Sequence, residues 1–170
     1  MRRIVIRAIA GLLAFIAGCA LAQQPLAVAS DRVLQVTFHL HCFSGVAEAD
    51  RTRLEYWNAG IARGNPDPDC VSRTPLLPPV ALRSVSLRPD PESTLVVLSL
   101  EVDPSRQPAI QQALLAHQRR LVAVAVRGRI VSVVFVAGAT SEPRIAVHVA
   151  DKAAALELES DLRILLGTGG

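Results

Sequence analysis

Apolar and polar segments alternate most clearly in the second half of the chain. Runs of Val, Leu and Ile bounded by Pro, Gly or charged residues predict strands at 81–87, 95–102, 121–126, 130–136 and 145–149. A helix is predicted to begin at Gln107-Pro108, because Pro is favoured in the first turn, and to end near Arg119. Asp151 is predicted to cap a final helix, whose apolar stripe ends at Gly167.

The first half of the chain has weaker patterns. Val33 to Leu40 alternate between apolar and polar residues, which predicts a half-buried strand. The stretch Ser44 to Arg63 is compatible with a helix, and the Pro-rich stretch that follows, up to Pro79, is predicted to be irregular. Together with the second half, this order predicts an α+β fold, a mostly antiparallel sheet with helices on one face.

The chain begins with the features of a secretory signal peptide, which we assign to residues 1–22. A basic stretch, Met1 to Arg7, precedes an apolar run of about ten residues, which is shorter than the ~20 residues that span a bilayer. Cleavage before Cys19 would follow the pattern of bacterial lipoproteins, in which this cysteine is lipidated, whereas cleavage after Ala22 would release a soluble protein. Both alternatives predict an exported protein, in the periplasm or anchored by its lipid in the outer membrane of a bacterium.

The cysteines help to divide the rest of the chain. We assign residues 23–32 to a tether, 33–80 to an N-terminal segment and 81–167 to an α+β domain. Neither cleavage route leaves Cys19 as a free thiol, so Cys42 and Cys70 remain as a pair. In an oxidising compartment this pair predicts a disulfide, with a redox-active or metal-binding pair as the alternative. The disulfide would staple residues 33–80 and stabilise the fold by about 3–4 kcal/mol.

Charge and aromatic content argue against a nucleic-acid partner. The formal net charge of +3 is supplied by Arg2, Arg3 and Arg7 of the leader, so the remaining chain has equal numbers of acidic and basic residues. A neutral protein lacks the positive surface that attracts phosphate backbones. Aromatic residues make up only 4% of the chain, which leaves few rings for stacking on bases.

The cluster His39-x-His41-Cys42 is the most suggestive chemistry in the sequence. Alternation along a strand places His39 and His41 on one face, at a spacing that could bind Zn²⁺ or Cu²⁺. The alternative is a pair of polar residues at a strand end beside a disulfide-bonded cysteine. Nucleophile motifs and phosphate-binding loops are missing, so we predict no catalytic residue, no cofactor and a function that is not enzymatic.

Three successive elements also show a family resemblance: the strand Leu98–Val102, the helix to Arg119 and the hairpin segment Leu121–Ser132. In order and motif, residues 95–166 resemble the head subdomain of the first periplasmic domain of SecD/SecDF translocation-motor proteins. Gly128 stands at the turn glycine of the family motif, and Ser132 at its serine. Gly138 would lie in the loop that follows, and 153–166 would form the closing helix.

The sequence also departs from this family. Arg127 stands where the family has the turn Asp, and Val133-Val134 replace its Ala-Pro. No apolar stretch after the leader is suited to span a membrane, so the proton-driven machinery of the family is not expected. The resemblance therefore implies a fold, together with contact with unfolded or partner polypeptide outside the membrane.

The leading functional hypothesis is an extracytoplasmic binding or accessory module whose partner is another envelope protein. We expect contact through an exposed sheet edge or through the region of Tyr56 and Trp57, because aromatic residues are enriched at interfaces. Membrane contact is expected only through an N-terminal lipid on Cys19. The alternative is a small metal-binding envelope lipoprotein that uses His39 and His41.

Overall fold

The computed structural model describes residues 33–63, 65, 69–90, 95–137 and 144–168. The predicted signal peptide with Cys19, the tether and Gly138 lie outside the described residues. The strands are β1 (Gln35–Leu40), β2 (Arg51–Arg53), β3 (Cys70–Ser72), β4 (Val80–Pro89), β5 (Val96–Val102), β6 (Leu121–Val126), β7 (Arg129–Phe135) and β8 (Arg144–Val149). The α-helices are α1 (Ala59–Arg63), α2 (Gln107–Leu115) and α3 (Lys152–Leu166), and short 3₁₀ turns lie at Cys42–Ser44, Glu48–Asp50 and Pro104–Arg106.

The main sheet is antiparallel and has six strands in the order β7-β6-β1-β4-β5-β8. β1 pairs with β6 along its length, from Val36 opposite Val126 to Leu40 opposite Val122. Its pairing with β4 is limited to the first residues of both strands. The sheet therefore consists of two halves, β7-β6-β1 and β4-β5-β8, which are joined at the start of β1. This architecture confirms the predicted α+β fold with a mostly antiparallel sheet.

Residues 33–80 do not stand apart from the sheet, since β1 lies at its centre. Beyond Val36 the side of β1 that faces β4 bonds instead to the chain after β3. The amide of Leu76 donates to the carbonyl of Phe38 at 2.7 Å, and the amide of Leu40 donates to Ser72 Oγ at 3.0 Å. The N-terminal segment thus completes the sheet that the second half of the chain begins.

The elements predicted after residue 81 are present, with small shifts at their ends. Asp151 caps α3 by accepting a hydrogen bond from the amide of Ala154, and Gly167 ends that helix in the left-handed conformation, as predicted. The predicted end of α2 near Arg119 was late, because the α-helix ends at Leu115 and a turn leads on to β6.

The predicted helix over Ser44 to Arg63 was wrong for most of its length. Only Ala59–Arg63 is α-helical, and Arg51–Arg53 form β2, which pairs with β3. The stretch from Glu48 to Arg53 is almost entirely polar, so a helix here would have had no apolar face to bury. Instead, pairing with β3 satisfies the backbone hydrogen-bonding groups of Arg51–Arg53.

The hydrophobic core lies between the sheet and the helices. Ile61 of α1, Ile110 of α2 and Leu158 and Leu162 of α3 are buried in this one cluster. The opposite face of the β7-β6-β1 half is covered by β2 and β3, which we call the ribbon. Beneath the ribbon lies a second, smaller cluster of buried residues, formed by Val71, Ala123 and Ile130. Because both of its faces are covered, β6 is a continuous run of Val and Ala.

The predicted disulfide is confirmed, and it fastens the ribbon to the sheet. Cys42 lies two residues after the end of β1 and bonds to Cys70, the first residue of β3, with 5.4 Å between their Cα atoms. The bond closes a sequence separation of 28 residues. In the unfolded chain such a closure removes conformational freedom, which stabilises the folded state.

We predict that the double variant Cys42→Ser/Cys70→Ser loses about 3–4 kcal/mol of unfolding free energy, the range expected for a closed loop of this size. Urea unfolding of the oxidised protein and the variant, followed by circular dichroism, measures the difference. Reduced wild-type protein is the matched control and should resemble the variant. Identical midpoints for all three samples would contradict the prediction.

A close approach joins α1 to the first turn of α3. Gly60 is buried there, and a Cβ atom at this position would collide with the Cβ of Ala154. Asn58 adds polar contacts, since its Nδ2 donates to the carbonyl of Ala154 at 3.2 Å and to Glu157 Oε2 at 3.0 Å. The short α1 is therefore held in place by its contact with α3.

We predict that Gly60→Ala lowers the free energy of unfolding by about 1–3 kcal/mol, because the added methyl group overpacks this contact. Adding Ala154→Gly removes the opposing methyl group and should recover part of that loss. A double-mutant cycle from thermal unfolding measures the coupling between the two sites. Strictly additive effects would show that the two residues do not touch.

Candidate functional site

The structure places His39 and His41 beneath the ribbon, on the face of β1 that sequence alternation assigned to them. Both side chains are buried. His39 Nδ1 lies 2.8 Å from the carbonyl of Ser72, and its Nε2 lies 3.1 Å from Thr37 Oγ1. His41 Nδ1 accepts a hydrogen bond from the amide of Phe43 at 3.3 Å. These three ring nitrogens are thus engaged with protein atoms.

This arrangement offers little to a metal ion. Cys42, the neighbouring sulfur, is used in the disulfide. Within the described ranges, no three side chains of His, Cys, Asp or Glu converge in the manner of a metal site. A metal ion bound by His39 would have to displace its contacts with Ser72 and Thr37. In this arrangement His39 connects β1 to the ribbon through the carbonyl of Ser72, and His41 accepts a local hydrogen bond from the amide of Phe43.

Burial lowers the pKa of His39 from its ordinary value of 6.5, and the hydrogen bond with the Ser72 carbonyl opposes this shift in part. The unfolded chain takes up a proton as the pH falls through 6.5, whereas the folded imidazole stays neutral to a lower pH. We therefore predict that the free energy of unfolding decreases as the pH falls through this window, and levels off below the folded pKa.

Urea midpoints measured between about pH 7.5 and pH 5 test this prediction, since an unperturbed histidine titrates near 6.5. His39→Gln keeps a hydrogen-bonding side chain but does not titrate, so its midpoint should depend less on pH. His117→Gln, at a half-buried position on another element, is the control and should keep the dependence of the parent protein. An unchanged dependence in the His39 variant would contradict the assignment.

The outer edge of β7 is already partly bonded. The chain segment before α1 runs alongside it, so that the amide of Trp57 donates to the carbonyl of Ile130 at 2.8 Å and the amide of Ile130 donates to the carbonyl of Glu55 at 2.8 Å. Further along, the amide of Val133 donates to Asn65 Oδ1 at 2.7 Å. At these positions β7 cannot accept an added strand, so the expected docking at a sheet edge does not apply there.

The other predicted contact region, around Trp57, borders a cavity of about 420 Å³ that opens to the surface. We call it the Trp57 cavity. Its lining comes from three places in the fold: the segment before α1, the turn between β6 and β7, and the last turns of α3. The lining residues are Trp57, Arg127, Arg129, Asp161, Ile164 and Leu165.

Trp57 is held in one position by several contacts. Its indole Nε1 donates to Asp161 Oδ2 at 2.9 Å, and the guanidinium of Arg129 lies 5.6 Å from the ring centroid, within the range of a cation–π contact. Together with the backbone hydrogen bond to Ile130, these contacts leave the side chain only 8% exposed. The indole therefore forms a fixed wall of the cavity.

The charges of the cavity are unbalanced. Arg127 and Gly128 form the turn between β6 and β7 with positive φ angles of 50° and 72°, and Arg129 begins β7. Among the described residues, neither Arg127 nor Arg129 has a carboxylate oxygen within 4.0 Å. Asp161 is the acidic lining residue, and its Oδ2 atom is engaged by Trp57. The cavity thus combines one carboxylate with two guanidinium groups that have no carboxylate partner among the described residues.

The apolar part of the lining is exposed. Ile164, in the last turn of α3, is 65% exposed, and Leu165 beside it is half-buried. Ile164 lies off the buried stripe of α3, which is formed by Ala154, Ala155, Leu158 and Leu162. In the sequence, an isoleucine outside the buried stripe of a helix indicates an exposed apolar side chain, and this signal could have identified the surface.

Of the lining residues, Trp57 is the one that the sequence predicts to contact a partner. Arg127 was noticed because it replaces the turn Asp of the resembled family, although no ligand was inferred from it. The partnership of Trp57 with Asp161 joins positions far apart in the chain, so only the folded structure shows it.

The fold of this chain is similar to that of solved SecDF structures. No protein-family model matches this sequence, and a search of curated proteins finds no match. A crystal structure of SecDF in its super-membrane-facing form resembles it with a TM-score of 0.51 and 14% identity. The match covers 82% of this chain and 19% of that chain. The fold is SecDF-like.

A second SecDF structure, of a membrane component that enhances protein export, matches with a TM-score of 0.49 and 14% identity, over 82% of this chain and 63% of that chain. This chain thus spans less than two thirds of either protein. The shared fold extends beyond residues 95–166, for which the sequence resemblance was stated, because it covers most of the chain. Among the described residues, no helix has the length and apolarity needed to cross a membrane.

Proposed function

We propose that this chain is an extracytoplasmic, non-enzymatic binding or accessory module that contacts another envelope protein through the Trp57 cavity. The observation that carries the proposal is the combination, at one opening, of a fixed tryptophan, an exposed isoleucine and two arginines that have no carboxylate partner among the described residues. Trp and Arg dominate the residues that contribute most to protein–protein binding, and such residues cluster in pockets. The lining residues that the structure describes include no hydroxyl, thiol or imidazole group, and we therefore propose binding rather than catalysis.

Several features support a location outside the cytoplasm. The leader has the order of a signal peptide, and the Cys42–Cys70 disulfide suits an oxidising compartment. The SecDF-like fold is consistent with such a place and with contact between proteins during export. Lipidation of Cys19 would tether the module to a membrane, and cleavage after Ala22 would leave it unattached. The binding surface is the same in both cases.

Site-specific crosslinking in bacterial cells tests the proposal. A photoreactive phenylalanine analogue at Ile164 would sit at the opening of the cavity, and the same analogue at Leu115, an exposed apolar residue on α2 that does not line it, is the matched control. We predict a discrete crosslinked protein in the envelope fraction for position 164 and none for position 115. Mass spectrometry identifies the protein. The same products at both positions, or no product at position 164, would refute the proposal.

A further inference from the structure

We infer that the Trp57 cavity binds a peptide segment of the partner that carries an acidic side chain beside an apolar one. Arg127 and Arg129 would donate hydrogen bonds to the carboxylate, and Ile164 and Leu165 would contact the apolar neighbour. This inference rests on the proposed function and adds the chemical class of the ligand.

The charge of the cavity supports an acidic ligand. The two guanidinium groups come from positions on either side of Gly128, so one tight turn presents both to the same opening. Guanidinium groups bind carboxylates with paired, charge-assisted hydrogen bonds. Asp161 is the one lining residue that would repel an anion, and it already accepts a hydrogen bond from Trp57. One positive charge therefore remains without a partner in the lining.

Several other acidic residues lie near the cavity. Glu55 and Asp69 line a neighbouring cavity that shares Trp57 and Arg129, and Asp69 Oδ1 lies 3.8 Å from Arg53 Nη1. Two more acidic residues lie on α3. Glu157, one turn before Asp161 on α3, accepts a hydrogen bond from Asn58 Nδ2. Glu159 Oε1 accepts hydrogen bonds from Arg163 Nη2 at 2.9 Å and from the amide of Leu87 at 3.1 Å. Among the described residues, none of these carboxylates lies within 4.0 Å of a guanidinium nitrogen of Arg127 or Arg129.

The apolar lining favours a peptide over a simple anion. An isoleucine that is 65% exposed beside two arginines gains from contact with an apolar side chain, because burial removes its surface from water. A volume of about 420 Å³ falls within the range of small-ligand sites and accommodates one or two side chains. A single surplus charge is small for a membrane surface, which is recognised by clusters of about 4–8 basic residues.

The chain contains one tryptophan, so the fluorescence of Trp57 reports directly on this cavity. The probe is a blocked pentapeptide, Ala-Leu-Glu-Leu-Ala, and its control is the same peptide with Gln in place of Glu. We expect a saturable change in fluorescence, with the Glu peptide bound about tenfold more tightly than the Gln peptide, the ratio typical of a charged hydrogen bond. Added salt should weaken the binding of the Glu peptide, since part of the attraction is electrostatic.

Variants test whether the two arginines cause the preference for the Glu peptide over the Gln peptide. Arg127→Gln and Arg129→Gln should each reduce binding of the Glu peptide about tenfold and leave that of the Gln peptide nearly unchanged. Arg73→Gln, at an exposed arginine that does not line the cavity, should bind like the parent protein. Unfolding midpoints check that each variant is folded. Should a variant not fold, the comparison of the two peptides on the unaltered protein still tests the inference.

The outcomes separate this inference from the proposed function. Equal affinity for the two peptides, or no saturable response to either, would overturn the inference that the ligand is acidic. A crosslink at position 164 would in that case still support a protein partner. A response of Trp57 to phosphatidylglycerol vesicles without a response to the peptides would overturn the inference and assign the site to a membrane surface. A preference for Glu without a crosslink would leave the chemistry of the site intact and remove the proposed partner.

Discussion

The hydrogen bonding of β1 on both of its sides is the constraint on which the rest of the structure depends. On one side β1 pairs with β6, and on the other it bonds first to β4 and then to Ser72 and Leu76. The two halves of the sheet are hydrogen-bonded through this strand, and β7 and β8 also approach each other. Because Cys42 lies two residues after the end of β1, the same strand also fixes one end of the disulfide that holds the ribbon. The first strand in the chain thus joins the two halves of the sheet and the ribbon.

The Trp57 cavity follows from this arrangement. After β2 of the ribbon, the chain reaches the outer edge of β7, where the backbones of Glu55 and Trp57 form hydrogen bonds with Ile130. From there the chain enters α1, which packs closely on α3. The last turns of α3 and the β6–β7 turn therefore meet at the tryptophan. The edge of β7 is satisfied by the same contacts, which protects it from pairing with another chain.

Much of the fold could be predicted from the sequence, because burial leaves a local pattern. The Val and Ala run of β6, the alternation in β1 and the Asp151 cap of α3 are each determined by neighbours in the chain. The stretch from Ser44 to Arg63 was predicted wrongly because its structure depends on β3 and on the disulfide, which lie later in the chain. For the site, the aromatic residue was predicted, whereas the pairing of Trp57 with Asp161 depends on the packing of distant elements.

Backbone geometry makes Arg127 the most informative residue of the site. Its φ angle of 50° lies in the left-handed region, where Gly, Asn and Asp are common and a long side chain has no advantage. The turn itself therefore gives no reason for an arginine, and the family that this hairpin resembles has Asp at the equivalent place. An acidic residue there would line the same cavity as Asp161 and add a second negative charge, whereas arginine adds a positive one. The scaffold is SecDF-like, but the fold does not determine the chemistry of the surface at this turn. That chemistry depends on the side chains placed on the scaffold, and here they combine positive charge with exposed apolar surface.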